Sequence, residues 1–150
     1  MERLDLSTND FYGLDTVTFI YFLEKHPDYY PVAKKLFRQI EDGEISAVCS
    51  ALVFAELLVP AYRVGMVAAA KQVIHVLTNF PHLTIVPVTT KISIFAAKLR
   101  ATHGLRTPDA IHVATALQAH AGGFITNDKD LKKVENAVFK VHLFADETAN

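Results

Sequence analysis

The most constraining stretch of the chain is residues 107–131, TPDAIHVATALQAHAGGFITNDKDL, which reads as one helix feeding one strand. Thr107 is a good N-cap residue, Pro108 suits the first helical position, and Ala110, Ile111, Ala114, Leu117 and Gln118 recur at helical spacing. Gly122-Gly123 is expected to end the helix, and Phe124-Ile125-Thr126 to begin a short buried strand. A helix running straight into a strand of a parallel sheet lies antiparallel to it, so the helix start stands beside the strand end. The lengths agree. About 14 helical residues at ~1.5 Å each cover roughly 21 Å, and about 5 strand residues at ~3.3 Å cover roughly 17 Å. Asp109 and Asp128 are therefore expected to meet at the carboxyl edge of a sheet. Two anions held together need a cation.

The rest of the chain repeats this alternation. Residues 1–10 read as a loose lead-in, and Phe11–Leu14 as a strand ending at Asp15. Residues 16–25 form a helix that is apolar almost all round, so it is either deeply buried or covered by a partner. His26-Pro27 breaks it, a helix over 29–40 stops at Asp42-Gly43, and 44–49 make a second strand. Ser50 can cap the next helix, ALVFAELLVPAYRVG, which Pro60 is expected to kink. A helix over 66–77, a third strand over 83–86, a helix capped by Thr89 or Thr90 and ended by Gly104, and a fifth strand over 138–143 complete the order. Strands alternating with helices predict one α/β domain over residues 1–150, a sandwich on a parallel sheet. Ligands of such sheets bind beyond the carboxyl ends of the strands, where strand order reverses. Asp15 ends the first strand and Glu56 sits about two turns into the helix after the second. With Asp109 and Asp128, four carboxylates scattered through the sequence are expected on one edge.

Composition narrows the chemistry. Lys and Arg number 15 against 16 Asp and Glu, so no global basic field attracts a polyanion, which would have to be held by local basic groups or by metal. A single cysteine excludes an internal disulfide, and no Cys/His cluster has zinc spacing. No apolar run approaches the ~20 residues of a membrane helix and the N-terminus is polar, which reads as cytoplasmic. The 51% apolar content is high and points to a buried subunit interface. No phosphate-binding glycine loop, dinucleotide fingerprint or GxSxG elbow is present.

Each acidic residue has a structural reading beside the functional one. Around Glu56 stand Leu52, Val53, Ala55, Leu57, Val59 and Pro60, so its carboxylate must be neutral, paired with Arg63 or Arg106, or on a metal. Asp109 suits a helix N-terminal dipole, Asp15 could be an N-cap, and Asp128 could belong to a polar turn, TNDKD. Asp130 reads as a surface charge that could help through water. One shared cation explains all four carboxylates more economically, and all-oxygen donors suit Mg²⁺ or Mn²⁺. Thr126 and Asn127 could hydrogen-bond a carboxylate or water, or serve the turn. His112 reads as a packed or edge histidine that could support a ligand, and Cys49 as a small core hydrophobe.

With those residues placed, the chain resembles the PIN-domain ribonucleases, and within them the VapC-type toxins of toxin–antitoxin pairs. The matching stretches are LDT at 14–16, SALVFAELL at 50–58, PDAIHVATA at 108–116 and FITNDKDL at 124–131. The resemblance implies a three-layer α/β/α sandwich with a five-stranded parallel sheet, and carries the family's acidic positions onto Asp15, Glu56, Asp109 and Asp128. It also implies homodimers, and inhibition by an antitoxin whose C-terminal segment crosses the active site. The polar lead-in departs from toxins that start almost directly on the strand. The expected activity is metal-dependent hydrolysis of single-stranded or looped RNA, with Asp15 and Asp109 as direct ligands and Asp128 completing the cage. Glu56 is expected to bind metal or take a proton from water. Arg63, Lys91, Arg106 and Lys129 are the candidate phosphate contacts, of which only Lys129 falls in a motif. A housekeeping RNA-processing nuclease and a non-catalytic adaptor of the same fold are the alternatives. A phosphoacceptor receiver lacks its third-strand Asp here, and an aspartate-nucleophile phosphatase would need Asp where Val17 stands.

Overall fold

A computed structural model describes residues 10–148; apart from Asp10, the expected lead-in over 1–10 lies outside the described residues. The chain order is β1 (Phe11–Leu14), α1 (Thr16–Leu23), α2 (Tyr30–Glu41), β2 (Ser46–Ser50), α3 (Leu52–Leu57), α4 (Val59–Arg63), α5 (Val67–Thr78) and β3 (Leu83–Val86). There follow α6 (Thr90–His103), α7 (Thr107–Gln118), β4 (Gly123–Thr126), a 3-10 turn (Lys129–Val134), β5 (Lys140–Leu143) and α8 (Phe144–Thr148). The strands form one sheet in the order β3-β2-β1-β4-β5, with every neighbouring pair parallel. The chain thus steps from β1 out to β3, then returns to the other side of β1. Strand order reverses between β1 and β4, which opens a crevice at their carboxyl ends.

Two cores cover the two faces of the sheet, as strand alternation requires. Tyr12, Leu14, Ala47, Cys49 and Ile125 point to one face and pack with α1 and α2 through Phe19, Val32, Leu36, Phe37 and Ile40. Val48, Phe124, Val141 and Leu143 point to the other and pack with α6 and α7 through Ile92, Ala96, Ala110, Val113 and Ala114. Small residues let α7 lie unusually close to the sheet. Gly13 is obligatory there, because a Cβ on it would meet Ala116 Cβ at 2.4 Å.

Several boundaries differ from the sequence reading, each for a local reason. Arg106 occupies the N-cap of α7 with extended backbone and no capping side chain, so Thr107 is the first helical residue and Pro108 follows it. The helix ends at Gln118, ahead of the glycines. His120 adopts a left-handed φ of 62°, and His120 N and Ala121 N close onto Leu117 O and Ala116 O in a Schellman arrangement. The buried residues of α7 run continuously from His112 to Ala116 because sheet and neighbouring helices enclose it. The expected kink at Pro60 is a full break, with α3 ending and α4 restarting around Leu58. Proline at 60 has no N–H to offer the carbonyl of Glu56. Helix α1 stops at Leu23, and β5 begins only at Lys140, since Asn136 Oδ1 holds Val138 N and Phe139 N in a turn. Among the described residues, no helix is long and apolar enough to cross a membrane.

Candidate active site

The crevice between β1 and β4 is a cleft of about 500 Å³ lined by Asp15, Thr16, Tyr21, Glu56, Arg106, Asp109, Thr126, Asn127 and Asp128, among others. All four expected carboxylates therefore reach one cleft from four separate elements.

Asp15 leaves the end of β1 and caps α1. Its Oδ1 accepts from Thr16 N at 2.8 Å and its Oδ2 from Thr126 Oγ1 at 2.7 Å. Its own N–H donates to Ile125 O at 3.0 Å, which ties it to the end of β4. Burial pushes its pKa up, although His112 and the hydrogen bonds from Thr126 and Thr16 pull it part of the way back; the charge of Asp109 adds to the rise. The N-cap role read in the sequence is thus real and coexists with a place in the cleft. Thr126 is fully buried, and its hydroxyl also accepts from Asp128 N at 3.1 Å. One threonine hydroxyl therefore sets the spacing of two carboxylates. Asp128 Oδ1 accepts from Asp130 N at 3.0 Å and starts the 3-10 turn.

Glu56 is not paired with the arginine that the sequence offered. Its side chain is 37% exposed, and its partner is neither Arg63 nor Arg106 but His112, whose Nε2 lies 2.5 Å from Oε1. Thr16 Oγ1 donates to the same oxygen at 2.7 Å and stands 3.1 Å from His112 Nε2. The His112 hydrogen bond is the main cause of a lowered Glu56 pKa; Thr16 adds to it and partial burial opposes it. Of the apolar residues flanking Glu56, Val53 and Leu57 pack under α3 while Ala55, Val59 and Pro60 are exposed, and the Glu56 carboxylate reaches into the cleft. Thr16 and His112 are site residues that the sequence reading passed over or ranked low. The available signals were the position of Thr16 directly after Asp15 and that of His112 one turn after Asp109.

Asp109 lies in the first turn of α7, where its Oδ2 accepts from Arg106 Nε at 3.0 Å. Its side chain is only 13% exposed against 79% for Arg106, so the arginine covers it from the solvent side. Asp109 in turn raises the Arg106 pKa, mainly through that hydrogen bond.

The remaining candidates divide. Asn127 lines the cleft, but its Nδ2 donates to Tyr21 Oη at 2.9 Å and its Oδ1 accepts from Ala145 N at 2.8 Å, so it braces α1 and α8. Asp130 is exposed and pairs with Lys133 at 2.9 Å, outside the cleft lining. Of the four expected phosphate contacts, only Arg106 lines the cleft. Lys129 is exposed at the start of the 3-10 turn, Arg63 is exposed at the end of α4, and Lys91 belongs to a separate groove on α6. Cys49 is buried in the core, with its thiol pushed up to about 12 by burial, as suits a small core hydrophobe.

The donor set is four carboxylates, which are hard oxygen ligands. Among the described residues no three His, Cys, Asp or Glu side chains stand close enough to hold a metal ion. In donor chemistry the four carboxylates of the cleft fit a hard divalent cation.

Known proteins agree with this architecture. No curated protein matches the sequence significantly. Among solved structures, the chain is similar to VapBC2 from Rickettsia felis bound to a DNA fragment from their promoter (TM-score 0.63, 19% identity, 88% of this chain and 98% of that one). It is also similar to DNA-bound VapBC from Salmonella typhimurium (0.64, 16% identity, 90% and 98%) and to a toxin–antitoxin complex from Klebsiella pneumoniae (0.62, 20% identity, 87% and 94%). At these identities the likeness concerns the fold. The PIN domain family model matches residues 12–137, a span that contains the four acidic positions and the crevice between them, and the chain belongs to the PIN-domain family.

Proposed function

We propose that the chain is a divalent-metal-dependent endoribonuclease and the toxin of a toxin–antitoxin pair. One observation carries this reading: four carboxylates from distant segments line a single cleft in which, among the described residues, Arg106 is the one cationic lining side chain. An RNA phosphate entering such a cleft meets net negative charge, so a bound cation must change its sign.

Asp15, Asp109 and Asp128 are the residues that would hold Mg²⁺ or Mn²⁺. When bound, such an ion supplies an acidified water and neutralises charge on the phosphate. The chain's own residues do the rest. Thr126 spaces Asp15 from Asp128. The depressed pKa of Glu56 keeps it ionised at neutral pH, which suits it to binding and orienting better than to removing a proton. Arg106, exposed at the mouth, can exchange its hold on Asp109 for a phosphate. A recessed cleft favours flexible single-stranded or looped RNA over a duplex.

The partner reading has its own support. Val59, Tyr62, Val64, Met66 and Val67 are exposed together across α4 and the start of α5, an apolar surface suited to a second copy or an antitoxin segment. Neighbours of the same fold were solved as toxin–antitoxin complexes. The setting is cytoplasmic.

The test is cleavage of single-stranded RNA with Mn²⁺ or Mg²⁺, with chelator, and by variants. Asp15→Asn should stay folded and lose divalent-dependent cleavage, while Asp130→Asn should cleave like wild type. Cleavage indifferent to both chelator and Asp15→Asn would refute the proposal.

A further inference from the structure

His112 is the most deeply buried ionisable side chain near the cleft, at 2% exposure, and it stands behind the cleft wall. Its Nε2 meets Glu56 Oε1 and Thr16 Oγ1, while its Nδ1 is buried with no hydrogen-bond partner. That asymmetry identifies the working nitrogen: Nε2, the one with oxygens in reach, is the one that donates. The Nε2–H then points at Glu56 Oε1, which the Thr16 hydroxyl also donates to. Both donors fall on the same carboxylate oxygen, and Oε2 takes no hydrogen bond among the described residues.

We infer that His112 is a positioning residue: with Thr16 it fixes Glu56 Oε1 against the protein and leaves Oε2 as the oxygen offered to a divalent cation or its water. This rests on the proposed metal-dependent reading of the cleft. The arrangement has a physical logic. Glu56 sits on a helix of only six residues that breaks at Leu58, so its backbone alone is a weak anchor. The two donors come instead from α1 and α7, the helices that begin at Asp15 and near Asp109. Glu56 is thereby registered to the same elements that carry the other carboxylates. Partners of this kind that orient a ligand typically contribute about 10- to 100-fold to metal affinity or activity.

The test measures Mn²⁺ binding by electron paramagnetic resonance and the His112 ring by ¹⁵N NMR. Wild-type protein should bind Mn²⁺ and show a protonated Nε2. His112→Leu, which keeps an apolar filler but no donor, should bind Mn²⁺ roughly 10- to 100-fold more weakly. His112→Gln, which can offer an amide N–H, should recover much of that loss. Thr16→Val should weaken binding in the same direction, and its loss of the second donor makes the result independent of how well either His112 variant packs. Folded His112→Leu and Thr16→Val proteins that bind Mn²⁺ like wild type would overturn the inference, as would a ring with no proton on Nε2. Wild type that binds no Mn²⁺ would instead remove the metal reading itself, and the inference with it.

Discussion

Gly13→Ala tests how closely the fold sets the site. Gly13 lies within β1 on the face that meets α7, and an added Cβ would stand 2.4 Å from Ala116 Cβ and 2.9 Å from Phe124 Cδ1. Carbon atoms rest at about 3.5–4.0 Å, so relief requires α7 to retreat by roughly 1 Å or more. Overpacking of this kind costs about 1–3 kcal/mol. In a domain of this size the melting temperature falls by roughly 2–4 °C per kcal/mol, which gives an expected loss of about 2–12 °C. The same displacement carries Asp109 away from Asp15, because Asp109 and Ala116 share α7. Misplacement by ~1 Å can lower a rate about 100-fold. Thermal melting, and initial rates of Mn²⁺-dependent RNA cleavage well below the melting temperature, read the two effects. The double variant Gly13→Ala/Ala116→Gly removes the nearer clash and should recover cleavage more fully than stability, because a glycine inside α7 costs about 1 kcal/mol of its own. A Gly13→Ala protein that melts and cleaves like wild type would refute the claim that close approach of α7 to β1 positions the carboxylates.

Two pH effects follow from the acidic residues and have opposite signs. Burial raises the Asp15 pKa, so its contribution to stability is complete below the ordinary carboxyl value of 3.8 and is lost as pH rises through the folded value. In metal-free protein, urea unfolding should show that decline, and Asp15→Asn should remove it. Glu56 behaves in reverse. Its lowered pKa contributes fully above the ordinary value of 4.5 and is lost as pH falls through the folded value, so Glu56→Gln should flatten that part of the acid limb in the same assay.

Much of this organisation was legible in the sequence because it rests on local rules. The turn at Asp15, the helix-to-strand passage from Asp109 to Asp128, and the parallel five-stranded sheet follow from periodicity and from the geometry of crossover connections. The cleft lining agrees: Asp15, Asp109 and Asp128 lie at element ends that the sheet brings to one edge, and Glu56 reaches the same cleft from within α3. What was not legible is tertiary. Glu56 meets a histidine 56 residues away, a pairing that no helical spacing encodes. Its apolar neighbours suggested burial, but they describe how α3 packs and not where a long side chain ends. The shift of the α7 cap from Thr107 to Arg106 was likewise not legible, since the preference of threonine for the cap did not decide where the helix begins. Arg63 and Lys91 were reasonable phosphate contacts by charge alone, and the fold puts both away from the cleft lining.

The central claim is that separate carboxylates converge to hold a divalent ion. Crystals grown with Mn²⁺ and measured for anomalous scattering address it most directly. The account predicts a single strong site, or a close pair, within the cleft and in contact with Asp15, Asp109 and Asp128, and its loss in Asp15→Asn. Manganese bound elsewhere on the surface with the cleft empty, or a cleft site unchanged by Asp15→Asn, would contradict it.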